Sequence, residues 1–572
     1  MTLSKHINAE KIERKYLAQS GKTELTEHEE FISKYQSNVA VPKYEIPLKS
    51  SNSSLVYKYL KEELALDGNT TLNLASFVNT QVDETPLKLI SENLVKNLAD
   101  NDEYPTLLEY QQRCISILSN LWHAPSKLDA GTQTHVATTV GTATTGSSEA
   151  ILLGGLAMKK KWQEKRIAEN KSISSPNILM ASCAQVALEK FARYFDVENR
   201  TIRITEKSHH LIDTDEIKKN IDENTIGIFV ILGSTFTGAF EPVEKISKIL
   251  DEIEKERGLD IKIHVDGASG GFVAPFIFPH LRWDFEVDRV ISINTSGHKF
   301  GLTTAGLGWI IWRDLEYLPE SLRFKLDYLG GVEETFNLNF SRPGFPVIHQ
   351  YYNFLTYGHE GYTKIFNSAV QNARLLSNIL QDSTFFEVLS VIHKKIPSIE
   401  ERSKIYTRSH DINHSHKDES TRNENFYPGL PVVAFRFSKE FRSKFPEIPQ
   451  SIVSLLLRNK GFIVPNYHLT PDEQDKEILR VVVREDFGLN LLEKLSSDII
   501  ATVELLVRST ETVRSAVEAK NTGEEVDKKV IYDLLLSIVS NGATDVKDLQ
   551  TIELDKEGTG HHKHKRSYRG AC

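Results

Sequence analysis

Between about residue 177 and residue 312 the chain alternates short apolar runs with amphipathic stretches. NILMASC (177–183) is a short apolar run, AQVALEKFARYF follows with helical spacing, and TIRITE reads as a second short strand. TIGIFVILGS (225–234) has the pattern of a buried strand, and EPVEKISKILDEIEKERG is an amphipathic helix that ends at Gly258. IKIHVDGAS, RVISIN and AGLGWIIW add three more strands. Strands alternating with helices of this length predict an α/β fold, a largely parallel sheet with helices on both faces.

The rhythm changes near residue 370. Helix-like VQNARLLSNILQ leads into the polar stretch KKIPSIEERSKIYTRSHDINHSHKDESTRNEN, read as a surface loop, partly disordered. LPVVAFRFS and ILRVVVRED then read as strands with the helix SIVSLLLRNKG between them, a smaller α+β domain. At the other end, VPKYEIPLKSSNSS reads as a connector. The expected organisation is an N-terminal extension (1–60), a large domain (61–368), a smaller C-terminal domain (369–510) with the polar insert at about 394–425, and a helix with a basic tail (511–572).

Composition narrows the class. Of 572 residues 40% are hydrophobic, enough for a large core. The net charge of −9 argues against a general nucleic-acid binder, which needs clustered Lys and Arg. Three scattered cysteines, Cys114, Cys183 and Cys572, suit neither a disulfide framework nor a zinc site, and no metal is expected. The N-terminus lacks the apolar run of roughly 7–15 residues of a secretory signal. No apolar run approaches the roughly 18–20 residues of a membrane span, so a cytoplasmic protein is expected.

Three features carry chemistry. Ser296-Gly297-His298-Lys299 follows the strand RVISIN, which places a lysine at a strand end beside small residues. A desolvated lysine has a lowered pKa and can form a Schiff base with an aldehyde. Taken alone, the run reads as an exposed loop lysine rather than as a Schiff-base lysine. Asp266, in Val265-Asp266-Gly267-Ala268-Ser269, stands where the strand IKIHV ends, at the sheet edge where α/β ligands bind. Its alternative is a turn or capping aspartate. Gly141-Thr142-Ala143-Thr144-Thr145-Gly146-Ser147-Ser148 precedes a strong helix, and hydroxyls with free N–H groups at a helix start make an anion site. Ser147-Ser148 stand where a nucleotide-binding loop needs Lys-Ser/Thr, which argues against a nucleoside triphosphate. Phosphate cradle, acid and lysine in this order match pyridoxal 5'-phosphate, whose ring nitrogen needs an acidic partner and whose aldehyde needs an amine.

Longer stretches give a resemblance. NLASFVNT, LWHAP, VGTATTGSSEA, KFARYFDVE, TFTGAFE, HVDGASGGFVAPF, SGHKFGL, DYLGG and NFSRP resemble the glutamate decarboxylases of bacteria, plants and fungi. These belong to the aspartate-aminotransferase-like (fold type I) pyridoxal-phosphate enzymes. The resemblance implies a carboxy-lyase that converts L-glutamate to 4-aminobutanoate and carbon dioxide; the alternative is a related decarboxylase or lyase acting on another amine or amino acid. It implies that Lys299 holds the cofactor, that Asp266 pairs with the pyridine nitrogen, and that Ala268 lies under the ring with Gln185 on its other face. It places Ser147, Ser148, His298 and Thr235 around the cofactor. Ser341 would reach a neighbouring subunit's phosphate, hence a homo-oligomer of two subunits or more, up to a hexamer. Ser76 and Phe77, with Asn97 and Asp100, would surround the substrate's side-chain carboxylate, and Arg480 would grip its α-carboxylate. Tyr328 would be a proton donor on a mobile loop, or only a loop anchor. Plant members bind calmodulin through a basic C-terminal segment. Here HHKHKRSYRGAC is basic with only Tyr568 as a bulky apolar anchor, while VDKKVIYDLLLSIV is amphipathic and barely basic. A docking or dimer helix at 526–539 is the expectation, with slender support for calmodulin.

Overall fold

The computed structural model describes residues 44–100, 102–128, 135–326, 333–408, 423–470 and 473–519. The chain divides into two compact units, residues 1–69 and 70–572. In the first, a helix spans Ser53–Leu64, and the Asn52 side chain caps it by accepting from the Ser54 N–H at 2.9 Å. The Asn-Ser end of the stretch read as a connector is therefore a helix start, the role that Asn and Ser side chains favour.

The second unit contains a seven-stranded sheet. In chain order its strands are β1 (Val140–Thr144), β2 (Asn177–Ala181), β3 (Glu198–Ile202), β4 (Thr225–Ile231), β5 (Ile263–Asp266), β6 (Val290–Thr295) and β7 (Gly308–Trp312). The spatial order is β1-β7-β6-β5-β4-β2-β3. Strands β3, β2, β4, β5 and β6 pair in parallel, and β7 runs antiparallel to both neighbours. Every residue of β4 to β7 is buried, as expected for strands covered on both faces. TIRITE contributes only Thr201 and Ile202 to β3, which begins earlier, at Glu198. Pairing with β2 from Asn177↔Glu198 to Ala181↔Ile202 sets that start, and the strand's exposed edge position hides it from a hydrophobic pattern.

The helices that matter for the site are α1 (Pro105–Leu121), α2 (Ser147–Ala168), α3 (Val186–Tyr194), α4 (Val243–Arg257), α5 (Gly270–Ile277), α6 (Phe345–Asp382), α7 (Ser451–Asn459) and α8 (Leu489–Ala519). Helix α4 ends as read, with Gly258 at φ 68° donating its N–H to Glu254 O. Helix α6 is bent at Gly358, φ 55°. It touches α1 and α5 beside the large sheet, then β8 (Phe386–Val388) and β9 (Val432–Phe437) of a second sheet. The boundary expected at 368/369 falls inside this helical run.

The second sheet has the order β8-β9-β11-β10, with β10 at Asn466–His468 and β11 at Glu477–Val482, all antiparallel. It has its own apolar core, to which α7 and α8 contribute. The described part of the polar insert is more ordered than its composition suggests. Lys395 bridges to Phe426, and a helix spans Ile399–Ile405. Ser398 caps that helix by accepting from the Glu401 N–H at 3.1 Å, a Ser-x-x-Glu start inside a polar run. Residues 409–422 of the insert, Tyr328 and the tail from 520 lie outside the described residues. Among the described residues no helix is long and apolar enough to cross a membrane.

Candidate active site

The site sits where the parallel strands end. Strand β5 finishes on Asp266, which is 2% exposed. Its carboxylate accepts three hydrogen bonds: from Gln185 Nε2 at 2.9 Å, Asn294 Nδ2 at 3.0 Å and the Ala268 N–H at 3.1 Å. Asn294 is opposite Asp266 in the β5–β6 register, so the pairing of the strands supplies this donor. Since the carboxylate only accepts, the Asn294 amide must turn its oxygen the other way. That oxygen lies 2.8 Å from His264 Nε2, and His264 Nδ1 lies 2.7 Å from Ser292 Oγ. The chain Asp266–Asn294–His264–Ser292 therefore places the imidazole proton on Nε2. Burial pushes the His264 pKa down to about 4, against the opposing influence of Asn294 and Asp266. The ring is neutral at pH 7.

Four residues beyond β6, Lys299 reaches the same place. Its Nζ lies 3.4 Å from Ser269 Oγ and 5.6 Å from the centre of the Phe77 ring. Burial lowers the ammonium pKa; Asp266 opposes the shift and Arg480 adds to it. The loop carrying Lys299 is held from behind by α6. Gln350 Nε2 donates to Gly301 O at 3.2 Å, and Asn353 Nδ2 to Leu302 O at 2.8 Å. Gly297 packs tightly here: a Cβ there would stand 2.7 Å from both Gln350 Oε1 and Leu307 Cδ2, so these side chains would have to shift.

Ser147 and Ser148 open α2, as read, with Ser147 buried and Ser148 exposed. Glu149 braces this start by accepting from the Thr145 N–H at 2.8 Å and the Leu338 N–H at 3.1 Å. Gly308 of β7 backs directly onto the turn, since a Cβ there would lie 2.3 Å from the Gly146 carbonyl carbon. A Cβ on Gly146 would in turn meet His298 Cε1 at 3.3 Å, which puts the imidazole beside the helix start. His298 Nδ1 accepts from the Leu307 N–H at 3.2 Å. Burial, helped by the Lys299 charge, takes its pKa down to about 4, so a neutral ring carries its proton on Nε2.

Cys183, Gln185, Thr235, Asp266, Ala268, Ser269 and Lys299 line one small cavity. A roomier groove of about 790 Å³ runs along α4 past Trp283 and Tyr427. It holds none of these residues, so its size does not make it the reacting site. Arg480, on β11, joins the Lys299 side through Phe77: its guanidinium carbon is 4.8 Å from the Phe77 ring centre. One arm donates to Thr235 O at 2.6 Å and another to Ala75 O, while the buried Nε has no hydrogen-bond partner. Ser76 is partly buried next to Phe77, and its Oγ accepts from the Val78 N–H at 3.0 Å.

Asn97, Asp100 and Ser341 form a separate group. Asn97 Nδ2 donates to Asp100 Oδ1 at 2.9 Å and approaches Ser341 Oγ at 3.5 Å, and Asn97 Oδ1 accepts from the Arg342 N–H at 2.9 Å. Within one chain Asn97 and Asp100 thus keep company with Ser341 rather than with Ser76 and Phe77. Sequence reading missed Asn294, His264 and Ser269. The signal for the first was present: a polar residue in the apolar strand RVISIN must find a partner.

These residues fit pyridoxal phosphate. A buried amine answers its aldehyde, an acceptor-only carboxylate fixed by three donors answers its ring nitrogen, and a glycine-backed helix start with hydroxyls answers its phosphate.

Comparison with known proteins agrees with this geometry. The pyridoxal-dependent decarboxylase conserved domain matches residues 47–400. The chain is 47% identical to glutamate decarboxylase of Saccharomyces cerevisiae over 551 residues, covering 93% of this chain and 90% of that one. It is 39% identical to glutamate decarboxylase 1 of Arabidopsis thaliana, with 92% and 95% covered. Among solved structures, glutamate decarboxylase of Lactobacillus brevis superposes with a TM-score of 0.71 at 33% identity, covering 81% of this chain and 95% of that one. The chain belongs to the pyridoxal-dependent decarboxylase family, among its glutamate decarboxylases.

Proposed function

We propose that this protein is a cytoplasmic, homo-oligomeric enzyme that decarboxylates L-glutamate to 4-aminobutanoate. The observation that carries the reading is the convergence of a buried lysine, a fixed carboxylate and an arginine with a free buried N–H around Phe77 and one cavity. The names of the relatives supply the substrate.

Bound pyridoxal phosphate supplies an aldehyde that takes up amines and a ring that accepts the electron pair left when carbon dioxide departs. Lys299 would hold it. Because burial disfavours the ammonium, Lys299 reaches its neutral, nucleophilic form more readily than a surface lysine. Asp266, kept in place by Gln185, Asn294 and Ala268, would hold a proton on the ring nitrogen. Ala268 and Gln185 would flank the ring, and Thr235 would touch it. Ser147, Ser148 and the Nε2–H of neutral His298 would bind the phosphate. Arg480 would orient the α-carboxylate so that the breaking bond stands across the ring. Ser76 and Phe77 would meet the side-chain end of the substrate. Asn97 and Asp100 would reach a neighbouring subunit's site together with Ser341, their companion here. Tyr328 would return a proton to the α-carbon. One proton is consumed per turnover, so activity should rise in mildly acidic buffer.

The test is direct. Purified protein loaded with cofactor is given L-glutamate, L-aspartate and aromatic amino acids in turn, and carbon dioxide and the amine product are measured. Turnover of glutamate far above the others supports the reading. Turnover of an aromatic amino acid with none for glutamate defeats it.

A further inference from the structure

Segment 72–80 runs as a strap from the second sheet to the lysine loop. At one end the Val482 N–H donates to Leu74 O at 2.9 Å, and the Ile463 N–H to Leu72 O at 2.9 Å. At the other end the Asn79 N–H donates to His298 O at 2.7 Å, and Asn79 Nδ2 to Leu302 O at 3.1 Å. Phe77 lies on this strap between Arg480 and Lys299, at 4.8 Å and 5.6 Å from its ring centre.

One side chain grips the strap at several points. Arg484 is 2% exposed. Its Nη1 donates to Asn73 O and Ser76 O, both at 2.8 Å, its Nη2 to Thr70 O at 3.4 Å, and its Nε to Thr80 Oγ1 at 3.1 Å. Thr80 Oγ1 passes its own proton to Asp486 Oδ2 at 2.8 Å, and Asp486 Oδ1 stands 3.5 Å from Arg484 Nε. A buried cation is costly unless its charge and its N–H groups are met, and here three of its partners, Asn73 O, Ser76 O and Thr80 Oγ1, are strap atoms. The rigid planar fork therefore acts as a template for the strap, holding backbone carbonyls before Phe77 and the Thr80 hydroxyl after it. A lysine ammonium, a point charge on a flexible stem, cannot hold these carbonyls at once.

We propose that Arg484 is a positioning residue for substrate selection: it sets where Ser76 and Phe77 stand, and so which side-chain length fits between the strap and Arg480. The inference rests on the reading that Ser76 and Phe77 meet the substrate. Arg484 itself touches no reacting atom.

The test uses the full-length holoenzyme and its Arg484→Lys and Thr80→Val variants. Arg484→Lys should raise KM for L-glutamate roughly tenfold or more while kcat stays within about threefold, the signature of lost binding without lost chemistry. Its preference for L-glutamate over L-aspartate should shrink by a similar factor. Hydrogen exchange should quicken in residues 72–80 and stay unchanged in β5 and β6. Thr80→Val, which removes the Arg484 Nε contact and the bond to Asp486 but leaves the backbone contacts of Arg484, should move each quantity the same way by less. Unchanged KM and unchanged strap exchange in Arg484→Lys would overturn the proposal, as would a fall in kcat with KM and substrate preference intact. If Arg484→Lys does not fold, unchanged KM and exchange in Thr80→Val overturn it. Wild-type enzyme that fails to turn over glutamate would defeat the functional reading instead, and strap exchange would then judge the role of Arg484 alone.

Discussion

Replacing Asp266 with asparagine separates charge from shape at the site. The side chains are nearly isosteric. In the variant, the remaining oxygen can still accept from the Ala268 N–H and Asn294 Nδ2, which reach Oδ1 of the native carboxylate at 3.1 and 3.0 Å. Only the Gln185 contact, at 2.9 Å, becomes two donors facing each other, and turning the Gln185 amide over restores it. The stability cost should therefore be small, about 1 kcal/mol. The rate cost should not be small. Asp266 is the carboxylate that would keep the ring nitrogen protonated, and removing a fixed electrostatic partner from a dry site typically costs about 10²–10³ in kcat, roughly 3–4 kcal/mol. The assay pairs kcat for carbon dioxide release at saturating cofactor with the thermal midpoint of the same preparation. A large fall in kcat with a nearly unmoved midpoint is expected. A kcat within about fivefold of wild type would refute it, and so would a midpoint collapse matching the loss of rate.

Three further outcomes follow from the same contacts. Arg480→Gln should raise KM for glutamate by roughly 10- to 10²-fold, since a charge-assisted pair contributes about 1.5–3 kcal/mol; steady-state kinetics with an unchanged KM would show that the arginine does not bind substrate. Asn294→Leu should leave the His264 N–H unpaired and take one donor from Asp266, costing about 2–4 kcal/mol; a lower thermal midpoint and faster cofactor loss on dialysis are expected, and retention equal to wild type would contradict this. Glu241, 2% exposed, accepts from the Ile231 N–H at 2.7 Å, and burial raises its carboxyl pKa from 4.5 to about 8. The folded chain keeps that proton after the unfolded chain has released it, so its stabilisation is complete below pH 4.5 and is lost as pH rises through about 8. Glu241→Gln, always neutral, should flatten the fall in thermal midpoint between about pH 6 and 8; an unaltered profile would count against a protonated Glu241.

Much of the large sheet was legible because its strands are buried on both faces. TIGIFVILGS and RVISIN became β4 and β6, and Asp266 and Lys299 followed from their places at strand ends. Strand β3 was read late because an exposed edge strand carries little apolar signal. The helix at Ile399–Ile405 was hidden by overall polarity, although Ser398 and Glu401 spell its start. The relay from Asp266 through Asn294 to His264 depends on β5–β6 register, which joins residues 28 and 30 apart in sequence, and no local pattern reports that. Arg484 shows the opposite case. An arginine closing the apolar run ILRVVVRED demands a partner by the same argument as Asn294 in RVISIN, but only the fold reveals that its partner is the strap.

The central claim is that Lys299 is the amine that carries pyridoxal phosphate. Reducing the native enzyme with borohydride, digesting it and mapping the peptides by mass spectrometry tests this without relying on turnover. The account predicts a pyridoxyl adduct on the peptide containing Ser296-Gly297-His298-Lys299, absent from Lys299→Ala. An adduct on another lysine, or none on wild-type protein saturated with cofactor, would contradict it.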